Sequence, residues 1–266
     1  MSMIIPFGPQ HPVLPEPLQL RLEIDEEKVL SATPVIGYVH RGLEKLAEQK
    51  DFQQDTYLIE RVCGICSFMH SLSYCMGIEE MMNIDVPPRA KYLRIIWAEL
   101  HRMHSHLLAV GLLADAFGFE NLFMKLWRTR ELVMDAMEYT TGGRVMLGSC
   151  CIGGVRKDIN PQQAKFVLDN LDAVEKDLRV LLPIVLNDYS VKQRMVGIGV
   201  LDKTLAHDRG AVGPTARGSG LLMDHRLTGY CGYNELEFEP VVEHDGDCYA
   251  RTKVRMRELY QSINLV

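Results

Sequence analysis

The 266-residue sequence predicts a mainly α protein of the α+β class, a helical bundle with a small N-terminal β-sheet, and three patterns predict it. Leu18, Leu20, Leu22 and Ile24 alternate with Gln19, Arg21 and Glu23, the period of two that suits a strand with one apolar face. Pro87 and Pro88 open a stretch in which Tyr92, Ile95, Ile96, Glu99, Leu100, Met103, Leu107 and Val110 recur at helical spacing towards Phe117. Asn160 followed by Pro161 is a helix start, a capping side chain and then a first-turn proline, for a segment running to about Leu182.

Taken in order, residues 6–17 are dense in proline and glycine and are expected to form an extended loop. The alternating run that follows, a polar turn at 25–27 and residues 28–32 form a β-hairpin with one buried face. Residues 43–50 and 52–60 read as helices broken near Cys63. Beyond the 88–117 helix, residues 122–140 form another, stopped by Gly142 and Gly143. Residues 196–232 are rich in glycine and short of periodicity, so loops are expected there. Leu236, Phe238, Pro240 and Val242 suggest an edge strand, and residues 249–263 return to helical spacing. Without a repeat, a low-complexity stretch or a clear linker, residues 1–266 are expected to form one domain.

Lys plus Arg number 29 and Asp plus Glu 35, a net charge of −6 that gives no electrostatic reason to bind nucleic acid. No run of about 18 uncharged apolar residues occurs, so no membrane-spanning helix is expected. Residues 1–8 lack the order of a secretion signal, which favours a cytoplasmic setting. The seven cysteines, an odd and scattered set, then read as thiols for metal binding, redox chemistry or burial.

The most informative segment is Glu60-Arg61-Val62-Cys63-Gly64-Ile65-Cys66, followed by His70. Two thiols three positions apart, with a glycine between them to permit a tight turn, can meet one metal or form a dithiol pair. They can also be two buried apolar residues. A structural zinc would want a second such pair, and Cys75, Cys150, Cys151, Cys231 and Cys248 do not make one. A thioredoxin-like dithiol would want a βαβ setting, which helical sequence on both sides opposes. His70 can hydrogen-bond a cysteine sulfur or be an ordinary buried histidine. His101, His104 and His106 do not share one helical face and read as packing and interhelical hydrogen-bond residues, with Glu99 and Arg102 in a buried polar network. Gly197, Gly199, Gly218 and Gly220 lack the strand-turn-helix order of a dinucleotide site, and Ser219 reads as a turn residue.

Over nearly the whole chain, ordered stretches match one family: Gly8-Pro9-Gln10-His11-Pro12, Ile36-Gly37-Tyr38-Val39-His40-Arg41-Gly42-Leu43-Glu44-Lys45-Leu46, Val86-Pro87-Pro88-Arg89-Ala90, Ile152-Gly153-Gly154-Val155-Arg156 and Gly246-Asp247-Cys248-Tyr249-Ala250-Arg251. The chain resembles the large subunit of the membrane-associated, energy-converting (Ech-type) [NiFe] hydrogenases and, more distantly, the homologous 49-kDa quinone-module subunit of respiratory complex I. The hydrogenase branch looks like R-x-C-G-x-C-x-x-x-H, met here by Arg61, Cys63, Gly64, Cys66 and His70, whereas the complex I branch lost those thiols. Residues 13–17 also lack the second histidine that the complex I branch places beside its quinone.

The resemblance implies that Cys63 binds nickel terminally and that Cys66 bridges nickel and iron, thiolates being soft ligands suited to both metals. It implies a magnesium role for Glu44, otherwise a solvated helix charge, and a contact of His11 with the site or with a small subunit's iron-sulfur cluster. Glu16, between Pro15 and Pro17, is the candidate proton carrier, and His70 tunes the site. The family's second C-x-x-C, in a D-P-C-x-x-C setting, is not found within these 266 residues. They are therefore expected to be an incomplete representation of a longer chain and inactive alone. The implied reaction is reversible reduction of protons to dihydrogen. Its electrons come from a ferredoxin-fed relay through an iron-sulfur small subunit, and it is coupled to ion translocation by membrane subunits at the cytoplasmic face. The alternatives are a quinone-reducing, NADH dehydrogenase-like subunit and a non-catalytic scaffold that docks an iron-sulfur subunit to a membrane arm.

Overall fold

The computed structural model describes residues 2–12, 14 and 16–266, and the chain divides into two compact units, Met1–Lys50 and Asp51–Val266. In the first, β1 (Met3–Phe7), β2 (Gln19–Asp25) and β3 (Lys28–Val35) form an antiparallel sheet in the order β1-β2-β3. The β2–β3 hairpin turns through Glu26 and Glu27, with Asp25 opposite Lys28 and Glu26 in the left-handed region at φ 54°. Pro6 lies opposite Arg21 in β1, so part of the stretch expected to be loop is strand. The reason is position: β1 pairs only with β2, and on an edge strand a residue without an amide hydrogen is tolerated. Leu20, Leu22 and Ile24 alternate as expected but are only half-buried, because the side chains of a short sheet cover one another in part. Helix α1 (Leu43–Ala47) follows.

The second unit is helical: α2 (Phe52–Glu60), α3 (Ser67–Met82), α4 (Pro88–Ala116), α5 (Glu120–Thr141), α6 (Pro161–Asn187), α7 (Tyr189–Met195), α8 (Lys203–Asp208), α9 (Gly213–Gly218) and α10 (Cys248–Leu265). A small hairpin, β4 (Cys150–Cys151) with β5 (Gly154–Val155), interrupts it. The mainly α fold with a small antiparallel sheet is the one the sequence patterns predict.

Local chemistry explains the boundaries. The Asp51 carboxylate accepts from the backbone N–H groups of Gln53 and Gln54 and starts α2. Asn160 and Gln163 form a reciprocal capping box at the head of α6. Gly142, at φ 85°, closes α5. Helix α6 runs past the expected end at 182 and through Pro183, because its apolar stripe continues: Leu171, Val174, Leu178, Leu181 and Val185 are all buried.

Helix α4, 29 residues or about 44 Å long, is the spine of this unit. Trp97, Leu100 and Leu107 sit in the core with Phe68 of α3, Val133 of α5 and Val174 of α6. At Gly111 the indole of Trp127 from α5 comes so close that a Cβ would lie 2.6 Å from its Cδ1, so the crossing requires glycine. Residues 236–242 form no strand. No backbone partner runs beside them, and their pattern is spent on side-chain packing: the Phe238 ring stands edge-on to Tyr233 at 6.1 Å and beneath the Arg226 guanidinium at 4.7 Å. Residues 196–232 contain α8, α9, the 3-10 turn His225–Thr228 and the start of a second, Tyr230–Glu235, rather than loops alone. Among the described residues no helix is long and apolar enough to cross a membrane.

Candidate metal centre

The bend between α2 and α3 carries the two thiols. It is pinned at both ends by groups that belong in the core. Glu60, the last residue of α2, is buried, and its Oε1 accepts the backbone N–H of Gly148 at 2.9 Å. At the start of α3 the Ser67 hydroxyl donates to the Val145 carbonyl, and Phe68 packs edge-on against Trp97 with centroids 6.1 Å apart. Helix α3 buries Ser67, Phe68, Ser71, Leu72, Cys75 and Glu79, one face by spacing, which leaves Cys66 and His70 half-buried beside the bend.

One ligand atom each from Cys63, Cys66 and His70 fall within 4.8 Å of one another, the one such group found among the described residues. The backbone N–H groups of Ile65 and Cys66 both donate to the Cys63 sulfur at 3.4 Å, stabilising negative charge there. Cys66 Sγ and His70 Nε2, one helical turn apart, are 3.3 Å from each other. Burial, with the neighbouring Cys63 adding to it, pushes the Cys66 thiol up to about 12 when no metal is bound. Metal binding is one event that draws such a proton off. Gly64 is not in the left-handed region, and a Cβ there would meet nothing within 4 Å. The glycine is therefore not a steric requirement of the turn, and the space a side chain at 64 would enter is open.

A residue that sequence reasoning assigned to packing supports this bend. His101 of α4 donates its Nδ1 proton to the Ile65 carbonyl at 3.3 Å, between the two cysteines. Burial lowers the His101 pKa to about 4, so the ring is neutral and its Nε2 carries no proton. That nitrogen is buried without a partner among the described residues. The contact spans 36 residues of sequence, and no local pattern announces it. His104 Nε2 faces Arg130 of α5 at 3.5 Å, and His106 bonds Glu258 of α10 at 2.7 Å, so the other two histidines serve interhelical contacts as expected.

Glu99 and Arg102 do belong to a buried polar network. Glu99 accepts from Arg102 (3.1 Å), Arg226 (3.4 Å), Tyr233 (2.5 Å) and Ser262 (2.6 Å). Burial alone would raise its pKa, but Arg102 and Arg226 hold it below the usual carboxylate range.

The remaining predicted site residues lie in the first unit. His11 is half-buried, its ring 4.1 Å from that of Phe7. It sits in a loop that begins at Gly8, where φ is 86° and a Cβ would lie 2.1 Å from the Leu18 carbonyl oxygen, so only glycine fits. Glu16 is exposed, and its neighbour Pro15 lies outside the described residues. Glu44 is 85% exposed, with His40 at 3.8 Å. Among the described residues no other carboxylate joins it in a metal-sized group, and magnesium, which wants several oxygen ligands, gains no support there.

Comparison with known proteins places the chain in a family. A model of the nickel-dependent hydrogenases matches residues 41–113, which contain the three-residue group, and a model of the respiratory-chain NADH dehydrogenase 49-kDa subunit matches residues 116–266. The chain is 40% identical to the membrane-bound hydrogenase subunit alpha of Pyrococcus furiosus, over 98% of this chain and 63% of that one. It is also 40% identical to the carbon monoxide-induced hydrogenase of Rhodospirillum rubrum, over 98% and 73%. To an NADH-quinone oxidoreductase subunit of Chromobacterium violaceum it is 36% identical, over 98% and 69%. The chain thus spans about two thirds of the length of these relatives. The chain belongs to the oxidoreductase family that unites the large subunits of nickel-dependent hydrogenases with the 49-kDa subunit of respiratory NADH dehydrogenase.

Proposed function

We propose that this chain is the catalytic large subunit of an energy-converting [NiFe] hydrogenase and supplies two of the thiolates that hold its nickel-iron centre. The observation that carries the reading is the convergence of Cys63, Cys66 and His70 at one half-buried bend. The donor set fits: thiolate sulfur suits nickel and iron, and open space lies beside Gly64. The hydrogenase model's match to residues 41–113 and the 40% identity to two hydrogenases support it.

In this reading Cys63 and Cys66 would hold the nickel-iron centre through their sulfurs. When bound, the centre supplies the redox chemistry that interconverts dihydrogen with two protons and two electrons. The chain's own residues arrange the rest. His70 holds the Cys66 sulfur, and His101 holds the Ile65 carbonyl so that the bend keeps both sulfurs on one side. Glu16 carries protons to and from the site, and His11 faces the electron-delivering iron-sulfur partner. Electrons arrive from a ferredoxin through that small subunit, and membrane subunits at the cytoplasmic face couple the reaction to ion translocation.

The decisive experiment is elemental analysis of the full-length enzyme matured with its partner subunits. Cys63→Ser and Cys66→Ser are each expected to abolish nickel retention while leaving the helical circular dichroism unchanged. Normal nickel in either variant refutes the ligand roles. Glu16→Gln is expected to slow proton-dependent turnover at unchanged metal content, and unaltered turnover removes Glu16 from the path. A second reading, a quinone-linked subunit of the NADH dehydrogenase type, draws on the match of residues 116–266 to the 49-kDa model. Full-length protein without nickel that still reduces a quinone would select it.

A further inference from the structure

Beneath α9 and the first 3-10 turn, within the helical unit, lies a cavity of about 210 Å³ whose lining includes none of the cysteines. Three guanidinium groups line it, those of Arg102, Arg217 and Arg226, with His225 beside them. Two of the three are committed. Arg226 forks onto both oxygens of Asp224 (3.0 and 2.7 Å) and reaches Gln261 at 2.7 Å. Arg217 binds Glu258 at 2.7 Å and the Met223 carbonyl at 2.9 Å.

Arg102 differs. Its Nε donates to Glu99 at 3.1 Å, and among the described residues its two terminal nitrogens have no acceptor, although the side chain is only 18% exposed. The one carboxylate on the cavity wall, Asp224, is occupied by Arg226. Charge counting agrees. The carboxylates of Glu99, Asp224 and Glu258 face the guanidiniums of Arg102, Arg217 and Arg226, and Arg255, which also senses Glu258 and Arg217, adds a further cation. A poorly solvated guanidinium with a free fork is a half-made bidentate pair, and planar oxyanions complete such a pair.

We propose that this cavity is a binding site for a small oxyanion, held chiefly by the terminal nitrogens of Arg102. The space suits an anion the size of a short carboxylate or inorganic phosphate. Met69, one turn beyond Cys66 on α3, forms part of its wall, so occupancy bears on the helix that presents the thiols.

The test is calorimetric titration of the protein at constant ionic strength with acetate and with inorganic phosphate, using neutral, isosteric acetamide as control. At least one oxyanion is expected to bind saturably and acetamide not to, and the arm that responds identifies carboxylate or phosphate as the occupant. Arg102→Lys, which keeps the charge and loses the fork, is expected to weaken binding at least tenfold. Saturable binding of acetamide, no binding of either oxyanion, or undiminished affinity in Arg102→Lys would each overturn the site. If Arg102→Lys does not fold, ligand-observed NMR of acetate and inorganic phosphate against acetamide on the unaltered protein decides the matter by the same comparison.

Discussion

Replacing Arg94 by methionine removes a forked, buried ion pair of the helical unit. Its Nη1 and Nη2 meet the two oxygens of Glu79 at 2.9 and 2.6 Å, and the pair is 1% and 7% exposed. The same guanidinium donates to the carbonyls of Cys151 (2.8 Å) and Gly154 (2.9 Å), so it ties α3 and α4 to the β4–β5 hairpin. Without it the Glu79 carboxylate keeps only the Gly153 N–H, at 2.7 Å, and two carbonyls lose a donor. Removing one partner of a buried pair costs about 3–5 kcal/mol. For a unit of this size that is a fall of roughly 6–20 °C in Tm. Urea unfolding followed by far-ultraviolet circular dichroism measures it. The double variant Glu79→Leu/Arg94→Met leaves no orphaned charge and is expected to lose at least about 1 kcal/mol less than the sum of the single variants. A loss below about 1 kcal/mol in Arg94→Met, or additive single losses, would refute the reasoning.

The buried histidines make stability depend on pH. Burial depresses His101 to about 4 and, with the Arg130 charge adding, His104 to about 3, below the unfolded value near 6.5, so the unfolded chain binds more protons. Stability is therefore full above about pH 6.5 and falls as the solution is acidified, by roughly 2 kcal/mol per histidine at pH 5. Urea titrations at pH 7 and pH 5 check this, and His104→Phe is expected to flatten the slope; a stability independent of pH over that range contradicts the assignment. Gly64→Ala is expected to shift stability by less than about 0.5 kcal/mol, since its new methyl meets nothing, and a thermal melt that drops by several degrees would show that the bend needs glycine after all.

The helices were legible because their ends carry local chemistry: the Asn160 capping box, Pro88 in a first turn and Gly142 at a C-terminus are each decided within four residues. Pro6 and the 236–242 segment were misread for the opposite reason. Whether an apolar alternation becomes a strand depends on a neighbour elsewhere in the chain, present for Pro6 in Arg21 and absent for Phe238. At the site, Cys63, Cys66 and His70 were legible because a single turn of backbone brings them together. His101 was not, since its contact with Ile65 exists only after α3 and α4 have packed. The same holds for Arg102, whose place in a polar network was foreseen while its unused fork was not.

The partners of Glu99 lie far along the chain: Tyr233 is 134 residues away and Ser262 is 163, while His106 meets Glu258 across 152. During synthesis α4 leaves the ribosome long before α10 exists, so its acidic and imidazole groups must wait in water, and the helical unit cannot reach its final packing until α10 has emerged. Large loop closures of this kind slow folding and lengthen the time that apolar surface stays uncovered. A chain wired in this way acquires its final packing late and all at once, when its last helix closes over groups laid down more than a hundred residues earlier.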